Sequence, residues 1–207
     1  MNDQTISLIL DSLGPLLRAT VTSTIPLTLI SFVLGLVLAL GVALMQLSPV
    51  RVVSALARLY ISLIRGTPLL LQLFIIYYGL PALGVRFNPF PAAVLAFTLN
   101  VGGYAAEVIR SAILSVPKGQ WEAASTVGMG YVTTLRRVVL PQAARTAIPP
   151  LSNTLISLVK DTSLASTIQV TELLRVAQEA AAPTYEFFAL SVAQSRLEAR
   201  QNRYVAI

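Results

Sequence analysis

A chain without histidine or cysteine has few side chains left that can do chemistry at neutral pH. The 207 residues carry 9 acidic and 15 basic groups and neither of those two types. That removes imidazole bases, thiol nucleophiles, disulfides and the usual zinc ligand sets. Charged groups of interest then fall in three places. Glu107 and Arg110 stand three apart, which lets them pair on one helix face. Glu122 opens a polar insert, residues 122–141, that also holds Arg136 and Arg137. Lys160 and Asp161 adjoin at the end of an apolar run. No paired carboxylate lies within an apolar segment, so an enzyme would lack a positioned acid and base. No GxxxxGK[ST] loop occurs either, so nucleotide chemistry would belong to a partner. No metal or cofactor is expected.

The elements that must position these groups are apolar helices. The chain is 55% hydrophobic and 12% charged, with mean hydropathy +0.73. Soluble domains carry about a quarter charged residues, and half of that points to a membrane. A net charge of +6 could suggest nucleic acid, but the basic residues sit at the ends of apolar runs, as membrane orientation requires. Residues 1–17 lack a basic start and carry Asp3 and Asp11, so no signal peptide is expected and the first apolar segment stays in the protein.

Residues 20–50 are free of charge, more than the roughly 20 needed to cross a bilayer. Ser31, Gly35, Ala39 and Ala43 recur there every fourth position. They form either a close-packing helix face or the small-residue background common in membrane helices. Arg51, Arg58 and Arg65 follow, and residues 66–85 make a second span entered through Gly66 and Pro68 and closed by Pro81. Arg65 reads as a snorkelling anchor rather than a substrate contact. A third span runs from 92 toward 114. Glu107 near its end reads as an interface anchor, with a partner or substrate role as the alternative. A fourth covers 148–159 and continues, only mildly apolar, to 171. The Lys160–Asp161 pair is costly within a span, so it marks either a polar pathway or a self-satisfied pair at the outer interface.

The insert reads as two short helices around a break. Residues 120–127 favour helix, and Gly128 and Gly130 stop it. Thr133 or Thr134 can cap a second helix, which Pro141 terminates. By spacing alone this is an ordinary hairpin between spans. Its residues say more. EAA, three residues, Gly, nine residues, a β-branched residue, one more, then LP is filled by Glu122, Ala123, Ala124, Gly128, Val138, Leu140 and Pro141. This resembles the signature loop of the permeases of ATP-binding cassette importers, in which Val138 stands where isoleucine is usual. RGTPLLLQLFIIYYGLP (65–81), NVGGYAAEVIRSAILSVPKGQWEAAS (100–125) and PPLSNTLISLVKDTSLAS (149–166) resemble the polar-amino-acid branch of that family.

The resemblance implies an all-α, polytopic membrane protein, a single transmembrane domain over 1–207 with a cytoplasmic coupling loop at about 115–145. It implies a transport subunit rather than an enzyme, docking on a separate ATPase through Glu122, Ala123, Ala124, Gly128, Leu140 and Pro141. Two alanines keep the docking face thin, and Glu122 and the arginines can pair at its rim. The implied partners are cytoplasmic ATP-binding subunits, a second permease chain (a copy or a paralogue), an extracytoplasmic amino-acid-binding protein and the bilayer of a bacterial inner membrane. The competing class is a non-transporting assembly scaffold. Lys160 and Asp161 are the candidate substrate-pathway residues.

The end departs from the family pattern. Where a fifth apolar helix is usual, Glu186 and Arg196 enclose only FFALSVAQS, too short to cross about 30 Å as a helix. Four full spans and a shortened fifth are expected. With the insert inside, Arg51, Arg58, Arg65, Arg110, Lys118, Arg136, Arg137 and Arg145 fall in the cytoplasm, against Arg18, Arg86, Lys160 and Arg175 outside, as the positive-inside rule requires.

Overall fold

The apolar runs fold as helices because a chain in lipid must satisfy its backbone internally. The computed structural model describes residues 14, 15, 17–171, 175 and 176, and among them every regular element is helical. Helix α1, Ile25–Gln46, is entered through a wide turn at Thr20–Thr24, and 17–46 forms one apolar helix of 30 residues. Helix α2 is Arg51–Gly66 and α3 is Leu69–Phe74, the latter prolonged through a wide turn at Ile75–Gly79 and a 3-10 turn at Leu80–Leu83. Helix α4, Pro89–Leu114, is the second long apolar helix. Helices α5, Lys118–Thr126, and α6, Tyr131–Thr134, form the insert, and α6 runs on through Leu135–Val139 into α7, Leu140–Asp161. A 3-10 turn, Thr162–Ile168, follows.

The core lies where α1 crosses α4. Ser31, Gly35, Ala39 and Ala43 are all buried, so the small-residue stripe is a packing face. Small side chains let membrane helices approach until backbones nearly touch. A Cβ added to Gly35 would stand 2.6 Å from Val101 Cγ1, and one on Gly103 would stand 2.6 Å from Ile64 Cγ2 of α2. Tyr60 of α2 donates a 2.6 Å hydrogen bond to the Leu99 carbonyl, pinning α2 across the middle of α4. A second apolar cluster, Ala112, Ile113, Val116, Val139, Ala143 and Ala147, joins the end of α4 to the start of α7.

Three expectations need correction. The segment holding Arg51, Arg58 and Arg65 is itself a helix, because arginines seven apart share one face and leave Ser54, Ala57 and Ile61 to pack. It meets 69–83 at 105°, so the segment expected as a second straight span is instead one arm of a sharply bent helix pair. Pro141 does not end the insert's second helix; it lies in the first turn of α7, and the wide turn before it takes up the missing donor. Neither Thr133 nor Thr134 caps α6: Gly130 holds the N-cap position, and Thr134 is buried inside the helix.

Among the described residues two helices are long and apolar enough to span, or three with the bent pair counted as one. Helix α7 has 22 residues, about 33 Å, but its polar stripe lowers its hydropathy. The shortened fifth segment, 187–195, and the basic tail lie outside the described residues.

Candidate functional site

A helix broken at a 105° bend leaves carbonyls without partners in the helix. At the α2–α3 bend, Gln72 and Thr67 meet that need. The Gln72 side-chain nitrogen donates to the Ile64 carbonyl at 2.8 Å, the Thr67 carbonyl at 3.1 Å and Thr67 Oγ1 at 2.9 Å. Thr67 Oγ1 in turn donates to the Leu63 carbonyl at 2.8 Å. Every partner of the Gln72 nitrogen is thus an acceptor, which fixes the amide's orientation. Its oxygen must then accept, and Asn100 Nδ2 of α4 donates to it at 3.2 Å. Asn100 is left with its own oxygen as the free end, an acceptor.

Beside this clamp lies a polar cavity of about 360 Å³, within the range of small-molecule sites. Thr67, Asn100, Tyr104, Asn153, Ser157 and Asp161 line it. Among the described residues no ion pair joins Asp161 to Lys160 or to any other base. Lys160 is exposed and does not line the cavity. The two candidates therefore separate: Asp161 lines the polar space and Lys160 does not. With Asp161 and the Asn100 oxygen on its wall, the cavity suits an ammonium or guanidinium group.

A second cavity, about 480 Å³, adjoins it toward the insert, with Tyr104 and Thr154 shared between the two linings. Arg65 and Glu107 line this lower space. The Arg65 guanidinium lies 5.5 Å from the Tyr104 ring centroid, a cation–π distance. Glu107 pairs with Arg110 at 3.9 Å, on the helix face that their spacing predicts, and accepts from the Gln46 amide at 3.4 Å.

The insert forms a compact, exposed knuckle. Gly128 sits at φ +76°, and the Gly128 and Met129 amides close the end of α5 onto the Ser125 and Ala124 carbonyls, at 3.0 Å each. Trp121 stacks on Tyr131 with ring centroids 5.6 Å apart, and Gln142 donates to Gln120 at 3.0 Å, so the knuckle is tied to the root of α7. Glu122, Ala123, Arg136, Arg137 and Pro141 are exposed, Leu140 is half-buried and Ala124 is buried. Among the described residues Glu122, Arg136 and Arg137 form no ion pair.

Sequence reasoning missed Gln72, Asn100 and Tyr104 as site-builders. An amide in LLLQLF was the available signal, since a polar group within a span needs a partner.

A bundle of apolar helices around a polar cavity, with an exposed knuckle at one end, defines a membrane permease. Residues 31–193 match the family described as binding-protein-dependent transport system inner membrane component, and the chain belongs to it. It is 53% identical to the L-cystine transport system permease protein TcyB of Bacillus subtilis over 96% of this chain and 92% of that protein. It is 43% identical to the nopaline transport system permease protein NocM of Agrobacterium fabrum, over 87% of this chain and 78% of the other. A solved structure described as an amino acid ABC transporter with histidines superposes with TM-score 0.80 at 33% identity, covering 95% of this chain and 96% of that one. The chain is accordingly a transport subunit, and ATP hydrolysis belongs to a separate subunit.

Proposed function

We propose that this chain is the permease of an ATP-driven importer for polar amino acids in a bacterial inner membrane, and that its whole length forms one transmembrane domain. The relatives that match over nearly its full length carry amino-acid transport names, which supports the substrate class. The observation that carries the reading is the polar cavity between α4 and α7, with Asp161 on its wall and, among the described residues, in no ion pair. Asp161 contacts the substrate's ammonium, and Lys160 lies at the outer rim of the pathway. The chain works beside a second permease chain and receives substrate from an extracytoplasmic binding protein. Residues 115–145 dock on the ATPase, with Glu122, Ala123, Ala124 and Gly128 shaping the contact and Leu140 and Pro141 joining it to α7. Closure of the ATPase pulls the knuckle and tilts α4 and α7. The scaffold alternative gains no support from the relatives.

The test is reconstitution with the cognate ATPase and binding protein in liposomes. Uptake of labelled L-cystine or L-glutamine that requires ATP is the expected result. Glu122→Lys reverses a rim charge and should reduce co-purification of the ATPase by roughly tenfold, about 1.4 kcal/mol. Equal co-purification of variant and wild type counts against the docking assignment.

A further inference from the structure

The pathway does not end at Asp161. Asn100, Tyr104, Glu107 and Ser111 recur along α4 at intervals of four, three and four, so they line one face of that helix. Opposite them, Ser157, Asn153, Pro150 and Thr146 recur at four, three and four along α7. The upper cavity takes Asn100, Tyr104, Asn153 and Ser157; the lower takes Tyr104, Glu107, Ser111, Thr146 and Pro150. They are successive stretches of one groove, with Tyr104 at their junction.

The two stretches differ in charge. The upper carries one charged group, the Asp161 carboxylate, beside the neutral amides of Asn100 and Asn153. The lower presents both signs, Arg65 and Glu107. Among the described residues Arg65 has no carboxylate partner and leans on the Tyr104 ring. Glu107 is held loosely: its contact with Arg110 is 3.9 Å long and that with Gln46 is 3.4 Å, while the Gln46 side-chain oxygen is buried without a partner. Arg65 is exposed and Glu107 is half-buried, so both charges stand accessible at the insert end of the groove to a visitor of matching charge. A free α-amino acid carries that complement, an α-carboxylate for the guanidinium and an ammonium for Glu107.

We propose that the Arg65–Glu107 cavity, on the insert side of Tyr104, is a second binding position for a free α-amino acid, occupied after the Asp161 position. Arg65 leaves the Tyr104 ring to take the carboxylate, and Glu107 takes the ammonium. The proposal rests on the amino-acid reading above and adds to it a residue, Arg65, that selects for a free carboxylate.

Equilibrium dialysis of the purified permease–ATPase complex in lipid nanodiscs tests it. The binding protein is left out, so that bound label reports the permease. The probes are radiolabelled L-cystine and L-glutamine, with L-glutamine α-carboxamide as competitor. Wild type should bind two amino acids per permease chain, and the carboxamide should displace one of them poorly. Asp161→Asn should lose one, and Arg65→Gln or Glu107→Gln the other, with Arg65→Lys retaining part of it. In Arg65→Gln the discrimination against the carboxamide should vanish. One bound amino acid or none in wild type overturns the proposal, as does a wild-type isotherm in Arg65→Gln and Glu107→Gln. If both single variants lose the assembled complex and the Arg65→Glu/Glu107→Arg reversal restores it, the pair joins two copies of the chain instead, and the proposal falls. ATP-driven uptake in liposomes, measured on the same preparation, separates failure of this second position from failure of the amino-acid reading.

Discussion

Gly128 holds φ +76° with nothing within 4 Å of where a Cβ would stand, so its backbone angle and not its surroundings demands glycine. A β-branched side chain at that angle costs roughly 1–3 kcal/mol in strain. Gly128→Val should therefore distort the knuckle and lower ATP-driven uptake about tenfold or more, with membrane insertion unchanged. Normal uptake at normal expression would sink the idea. Gln72 is the other position where one side chain decides local structure. Gln72→Leu preserves volume but orphans the Ile64 carbonyl and Asn100 Nδ2, which are half-buried, at up to about 1 kcal/mol each. The melting temperature of the purified complex should fall. Because the two amides act through one bond, Asn100→Leu added to Gln72→Leu should cost less than the sum of the separate losses; simple additivity would mean that the clamp does not exist. Gly128 was legible in sequence because a lone glycine after a helix-favouring run has a specific physical meaning. The orientation relay from Ile64 through Gln72 to Asn100 was not, since it depends on a 105° bend that brings residues from three helices together.

Three wide turns punctuate the helices, and each stands directly before a proline. The Ile25 amide reaches back to the Thr20 carbonyl before Pro26, Leu80 to Ile75 before Pro81, and Leu140 to Leu135 before Pro141. The cause is common to all three. Proline has no amide hydrogen and its ring crowds the carbonyl four residues back, so the preceding turn widens to a five-residue bond instead of stopping. This is why Pro141, read from sequence as a terminator, sits inside a helix that runs from 131 to 161. The helix–break–helix pattern of the insert was legible, because Gly128 and the polar composition agree; its connection to α7 was not. The extra residue in that turn re-phases the knuckle against α7 by about 100°. Pro141→Ala restores a donor and lets the turn close as ordinary α-helix. Thermal stability should hold or rise, while ATP-driven uptake falls because the proposed docking residues Glu122 and Ala123 are rotated relative to α7. Undiminished uptake with a higher melting temperature would show that the wide turn is incidental to coupling.

At the scale of the molecule, apolar surface faces outward along the long helices, and one side of α7 departs from that pattern. Ile148, Ile156 and Val159 are exposed on one flank of that helix, while Thr146, Asn153 and Ser157 are exposed on another. Lipid can cover the first flank. It cannot cover the second without stripping water from hydroxyls and an amide, so that flank must border either an aqueous pathway or a second permease chain that shares it. The membrane class, the order of the apolar segments and the small-residue face of α1 were all readable, because lipid imposes length, composition and close packing on a chain. Which flank of α7 meets the pathway was not, because two prolines and scattered polar residues blur its period, and only the partner α4 reveals the face in use. The absence of cysteine from the sequence makes the distinction measurable, since each introduced thiol stands alone. A water-soluble maleimide reacts with the thiolate, which needs both solvent access and a medium that tolerates charge. Single cysteines at Thr146, Asn153 and Ser157 should be labelled at least about tenfold faster than those at Ile148, Ile156 and Val159, because a thiol against lipid is held neutral and dry. Added L-glutamine or L-cystine should slow labelling at Asn153 and Ser157, beside Asp161, in the assembled complex. Labelling that follows exposure alone, with Ile156 as fast as Ser157, would remove the groove between α4 and α7 as the route of transport.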